Sequence, residues 1–213
     1  MSFTVRADND VEAMRKAEKF IDNLCTAILL STNIAVDAES IDIVGVEVRE
    51  TRGSDTESTK STVVHIVAHG VITIKEEVSL GLGLSEPHVR RIIEITEKLA
   101  GFDELVTRFL RWYRWSLLED DPIDKFTKLW IALEIWAEYK GYKKGKGSER
   151  KKIINALMKE CAFSEKEASD MYVIRSSIFH SGVFNKALGK LPQLEKCLKT
   201  MVLNYSKAIL SNL

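Results

Sequence analysis

Apolar side chains recur every three or four residues over 10–30. Val11, Met14, Ala17, Ile21, Leu24 and Ile28 mark one face of an amphipathic helix there. Asn9, with Glu12 three residues on, has the spacing of a capping box and sets the start of that helix. The period then shortens to that of strands. Ile41–Val48, Val63–Val67 and Val71–Ile74 are rich in β-branched residues, and Phe3–Arg6 is a further short candidate. The polar stretch 51–60 predicts a hairpin loop. Gly81-Leu82-Gly83-Leu84 closes this region, and helical spacing takes over.

Six helices are predicted beyond that point. Ser85 caps one running to Leu99, with Pro87 tolerated in its first turn. Others cover Phe102–Leu118 and Ile123–Tyr139, the latter with Pro122 in its first turn. Ser148 caps one ending near Cys161, and Ser164 with Glu167 forms a second capping box opening a helix to His180. The last runs from Leu191 to Leu210. The pattern therefore predicts an α+β fold: a small N-terminal α+β region over 1–84, then an all-α helical bundle over 85–213.

Composition excludes a collagen, a disordered tail or a small disulfide scaffold, since 45% of the 213 residues are hydrophobic and 29% charged. No apolar run is long enough for a transmembrane helix, and the N-terminus lacks the apolar stretch of a signal peptide. The expectation is a cytoplasmic protein with no membrane association. The 31 basic and 31 acidic side chains cancel, but unevenly. Residues 1–100 carry 11 basic and 17 acidic groups, and residues 101–213 carry 20 and 14. The basic half is the one to test for an anionic partner. Cys25, Cys161 and Cys197 are odd in number, far apart and in no CxxC pair, which argues against a disulfide framework and for buried small hydrophobes.

Candidate chemistry is sparse. Trp112, Trp115, Trp130 and Trp136 suit a bundle core, or, if exposed, a platform for stacking bases. The segment 140–152 concentrates Lys140, Lys143, Lys144, Lys146, Arg150, Lys151 and Lys152 against Glu149 alone. It is a solvated loop or a contact site for nucleic-acid phosphates. It fails the spacing of a nucleotide-binding P-loop. His65 and His69 lie about 13 Å apart along a strand, too far for one metal, and His88 has no partner set. No metal site or cofactor is expected. Arg175-Ser176-Ser177-Ile178-Phe179-His180 is different, because it joins a permanent cation that grips phosphate to a side chain that exchanges protons near neutrality. Five residues are about 140° around a regular helix, so Arg175 and His180 share a face only if that helix kinks or ends early.

The C-terminal half, about residues 101–213, resembles a HEPN domain of the ApeA-like branch. The resemblance rests on the bundle, the segment Asp124–Glu134 and the Arg-x4-His stretch 175–180 in a late helix. It implies a homodimer in which two such motifs meet in one cleft. It also implies a metal-independent endoribonuclease, acting in defence or stress response, in which the ribose 2′-hydroxyl attacks its own phosphate. Carried over, Arg175 stabilises the phosphate and His180 transfers the proton. Active members often have Asn, Asp or His after the arginine; here Ser176 stands there, and it can still donate a hydrogen bond. Glu134 is a candidate supporting residue, or simply the partner that satisfies a buried Arg175. Lys143, Lys144, Lys146, Arg150 and Lys151 are the candidate RNA contacts. A non-catalytic HEPN module that binds protein or nucleic acid, and a small-molecule-binding bundle, are the alternatives.

Overall fold

The structure, a computed structural model, describes residues 2–7, 9–52, 58–71, 86–142, 149–181 and 189–210. It divides into two compact units, Met1–Gly101 and Phe102–Leu213. The division falls after the first predicted bundle helix, not before it at residue 84, because that helix packs against the N-terminal one.

The first unit contains β1 (Ser2–Ala7), α1 (Asp10–Thr32), β2 (Asp37–Arg52), β3 (Ser58–Val71) and α2 (Glu86–Leu99). The strands form an antiparallel sheet in the order β1-β3-β2. Register shifts between Ala38 and Ser40 and between Ile43 and Gly45 mark bulges in β2. The polar stretch 51–60 is not all loop: Thr51 pairs with Thr59 and Arg52 with Ser58. Residues 53–57 and 72–74 lie outside the described residues, as does Ser85.

Helix α1 starts where expected, with the Glu12 N–H donating to Asn9 Oδ1 at 2.9 Å. It ends at Asn33, whose left-handed backbone (φ 60°) lets its N–H reach the Leu29 carbonyl; asparagine tolerates that conformation better than most residues. The buried stripe shares Ala17 and Ile21 with the predicted one and departs from it elsewhere. Val11 is 80% exposed, and Ala13, Ala17, Ile21, Cys25 and Leu29 face inward. Ala13, outside the predicted stripe, begins the inward row at four-residue spacing, because a periodicity reading weights large side chains over alanine. Ile21, Cys25 and Val36 form a small core with Ile28, Ile34 and Ala38 packed on it.

The second unit is a helical bundle of α3 (Glu104–Leu117), α4 (Pro122–Tyr139), α5 (Glu149–Cys161), α6 (Glu165–Ser181) and α7 (Leu191–Leu210). Asp103 and Asp121 cap α3 and α4 through their carboxylates. The antiparallel pair α3–α4 buries Phe109, Leu110, Phe126, Leu129, Trp130 and Leu133. Helix α4 stops in a Schellman motif. Gly141 adopts φ 64°, its N–H meets the Glu138 carbonyl, and the Tyr142 N–H meets the Ala137 carbonyl at 3.1 Å. Tyr142 then donates its hydroxyl to Glu160 on α5.

Helix α5 ends at Ala162, which holds the same left-handed backbone (φ 55°) without being glycine. That conformation costs about 1–2 kcal/mol for a residue with a Cβ, and glycine gives back about 0.5–1 kcal/mol through the freedom of the unfolded chain. Ala162→Gly is therefore expected to raise stability by about 0.5 kcal/mol and Ala162→Val to lower it, as read by thermal melting.

Lys152, with its side chain 5% exposed, bridges the carboxylates of Glu138 on α4 and Glu149 on α5. Burial pulls its pKa down, but the hydrogen bonds to Glu138 and Glu149 outweigh it and hold the ammonium above the ordinary lysine value. A raised folded pKa stabilises at all pH values below the unfolded one and loses that contribution as pH rises through the folded one. Glu138→Gln with Glu149→Gln strands the buried ammonium and is expected to cost about 2 kcal/mol at neutral pH, whereas Lys152→Met is expected to be nearly neutral. Urea melts at pH 7 and above pH 10 read both effects.

Candidate functional site

Helix α6 begins with the capping box expected from Ser164 and Glu167. The Glu167 N–H donates to Ser164 Oγ, and the Ser164 N–H and hydroxyl return to Glu167 Oε2 at 2.9 and 2.6 Å. These bonds hold the Glu167 carboxyl below its usual pKa. The helix buries Ala168, Met171, Ile174 and Ile178. Its partners are chiefly α5 and, through side chains, α4.

Arg175 lies on this helix half-buried, with its Nη2 donating to Glu134 Oε1 at 3.3 Å. The same carboxylate oxygen accepts from Trp130 Nε1 at 2.7 Å. Trp130 and Glu134 are one turn apart on α4, so the buried indole fixes the carboxylate and the carboxylate fixes the guanidinium. Phe179, one turn beyond Arg175, sets its ring 4.6 Å from the guanidinium carbon. Arg175 Nε is buried with no hydrogen-bond partner. Ser176 is half-buried beside it, and His180 is exposed in the last turn.

Helix α6 continues to Ser181, so it does not end early between Arg175 and His180. On a regular helix they stay about 140° apart. The structure thus joins Arg175 to Glu134 and leaves His180 exposed in the last turn of the same helix.

The basic segment is less available than its composition implies. Lys152 is buried between two carboxylates. Lys140 sits over the rings of Trp136 and Tyr139 at 4.9 and 5.9 Å. Arg150, although exposed, donates to Ser169 Oγ and lies 5.8 Å from the centre of the Tyr172 ring. Lys151 is exposed and lines an open groove of about 870 Å³ between α5 and α6, together with Asn155, Met158, Lys166 and Asp170. Lys143, Lys144 and Lys146 lie outside the described residues.

The tryptophans divide. Trp130 and Trp136 are core residues, packed against Phe126 and Phe109 respectively. Trp112 and Trp115 are half-buried and meet edge to face at 5.2 Å, as three-residue spacing dictates. The side chains that position Arg175, namely Trp130 and Phe179, stand at i, i+4 from Glu134 and Arg175, a spacing that could have marked them in the sequence.

The cysteine reading requires correction. Cys161 and Cys197 form a disulfide, with Cα atoms 5.0 Å apart across 36 residues. Their proximity comes from α5 ending against α7, which no local spacing encodes. Cys25 is buried in the first unit, outside that pair.

Among the described residues, no cluster of three His, Cys, Asp or Glu side chains could hold a metal ion, and no helix is long and apolar enough to cross a membrane. No family model, curated protein or solved structure matches the chain.

Proposed function

We propose that the second unit is a HEPN-like module that cleaves RNA without a metal, as a homodimer, in defence or stress response. The observation that carries the reading is Arg175, a partly exposed guanidinium held by Glu134 and Phe179 on the helix that also presents His180. A fixed guanidinium can bind a phosphate through its remaining donors and stabilise charge that develops there. The 2′-oxygen attacks the adjacent phosphorus, the bond to the next nucleotide's 5′-oxygen breaks, and that oxygen takes a proton. His180 serves one of the two proton transfers. Because Arg175 and His180 of one chain lie on different sides of α6, a working site draws on two copies, with Arg175 of one chain and His180 of the other facing the same phosphate. Lys143, Lys144, Lys146, Arg150 and Lys151 would hold the flanking backbone, and removing them should weaken RNA affinity and flatten its salt dependence.

A second reading, a module that binds RNA or protein without cleaving, draws support from the Glu134–Arg175 pair, which satisfies the guanidinium within its own bundle, and from Ser176. An RNA cleavage assay in EDTA separates the two. Cleavage that persists in EDTA and disappears in Arg175→Ala and His180→Ala supports the nuclease. Cleavage that survives both substitutions, or that needs a divalent ion, overturns it. RNA or protein binding without cleavage favours the second reading.

A further inference from the structure

Cys161 closes α5, and Cys197 lies in the second turn of α7. Their Cα separation of 5.0 Å falls within the range a disulfide spans without backbone movement. The two sulfurs differ in access. Cys161 is half-buried, whereas Cys197 is 5% exposed and packs 3.7 Å from Met201 Sδ. The chain between them contains the whole of α6, so the bond closes a covalent loop around one helix. That helix rests chiefly on α5, the element the bond ties to α7.

We propose that Cys161 and Cys197 form a reversible dithiol–disulfide centre that exchanges with thiols of the glutathione class, and that its closure holds α6 against local opening. An incoming thiolate attacks Cys161 Sγ, the accessible sulfur. The bond to Cys197 Sγ breaks, and that sulfur keeps the electron pair and takes a proton. A second thiolate attacks the external sulfur of the mixed disulfide, releasing Cys161 as a thiolate and giving the small-molecule disulfide. Two thiols are oxidised and one protein disulfide is reduced. Closure reverses the sequence, with the small-molecule disulfide as oxidant. The closed loop removes open conformations available to the reduced chain, so α6 opens less often when the bond is made.

The test uses the full chain, equilibrated in buffers of increasing reduced-to-oxidised glutathione ratio and trapped by alkylation. Peptide mass spectrometry is expected to show Cys161 and Cys197 becoming alkylated together as the ratio rises. Hydrogen exchange of α6 amides is expected to be at least about 100-fold slower in the oxidised chain, with α1 and α2 unchanged. Cys161→Ser and Cys197→Ser should each give the fast exchange at every ratio, and the reduced wild-type chain gives the same comparison without a substitution. Thiols that stay open at all ratios, a bond that glutathione cannot open, or α6 exchange that ignores the redox state would each overturn the proposal. None of these readouts depends on RNA cleavage.

Discussion

Trp130→Ala is expected to lower the stability of the second unit by about 3–5 kcal/mol. The indole is fully buried. It lies nearly parallel to the Phe126 ring at 5.9 Å and meets Tyr172 of α6 edge to face at the same distance. Truncation removes the largest fully buried side chain among the described residues and leaves a cavity where α4 faces α6. It also takes away the N–H that orients Glu134, so Arg175 would lose rigidity as well as support. Trp130→Phe keeps most of the volume but not the hydrogen bond and is expected to cost about 1–2 kcal/mol. Urea unfolding followed by far-UV circular dichroism avoids the change in fluorescence. A loss below about 1 kcal/mol for the alanine variant would mean that α4 and α6 are not coupled through this ring.

On the proposed nuclease function, His180→Ala is expected to reduce metal-free RNA cleavage by about 10²–10⁴-fold, the usual contribution of a positioned proton-transfer group. Arg175→Ala should lose about 10²–10³-fold, in line with removal of a donor aimed at developing charge. Arg175→Lys keeps the charge but not the planar fork, and should recover only part of the rate. Glu134→Gln retains an acceptor for the Trp130 N–H but not the charge, and is expected to raise KM more than it lowers kcat if Glu134 only positions Arg175. The proposed two-copy arrangement adds a further expectation. Mixing the Arg175→Ala and His180→Ala chains should restore part of the activity, because a mixed dimer keeps one intact arginine and one intact histidine. Mixtures as inactive as either parent, with dimers present, would show that cleavage does not draw on both copies.

Local rules made much of this legible before any coordinates. Asn9 and Ser164 marked helix starts because a side-chain oxygen three residues before a backbone N–H satisfies it within one turn. Proline at residue 122 and glycine at residue 141 marked the ends of α4 for equally local reasons. The Glu134–Arg175 pair was readable as one of two roles for Glu134, although nothing in the spacing chose between them. Contacts set by packing between distant helices were not readable. Cys161 and Cys197 lie 36 residues apart, and Lys152 looked like a loop cation until Glu138 and Glu149 were found on either side of it. The inward stripe of α1 was legible at Ala17 and Ile21 but not at Ala13, Cys25 and Leu29, and Val11 was wrongly included: small side chains such as Ala13 carry little apolar signal, yet they lie inward.

The order of strands has a consequence for how the chain is made. Among the described residues, β1 pairs with β3 and not with β2, from Ser2 against Val67 to Ala7 against Thr62. At ribosomal rates of about 5–20 residues per second, β1 waits roughly 3–13 s for β3 to be synthesised. Helix α1 can form long before that, since its hydrogen bonds close within the helix. β1 is thus translated well before the strand it pairs with, and during that interval its backbone amides and carbonyls are open to capture by a chaperone or by a neighbouring nascent chain.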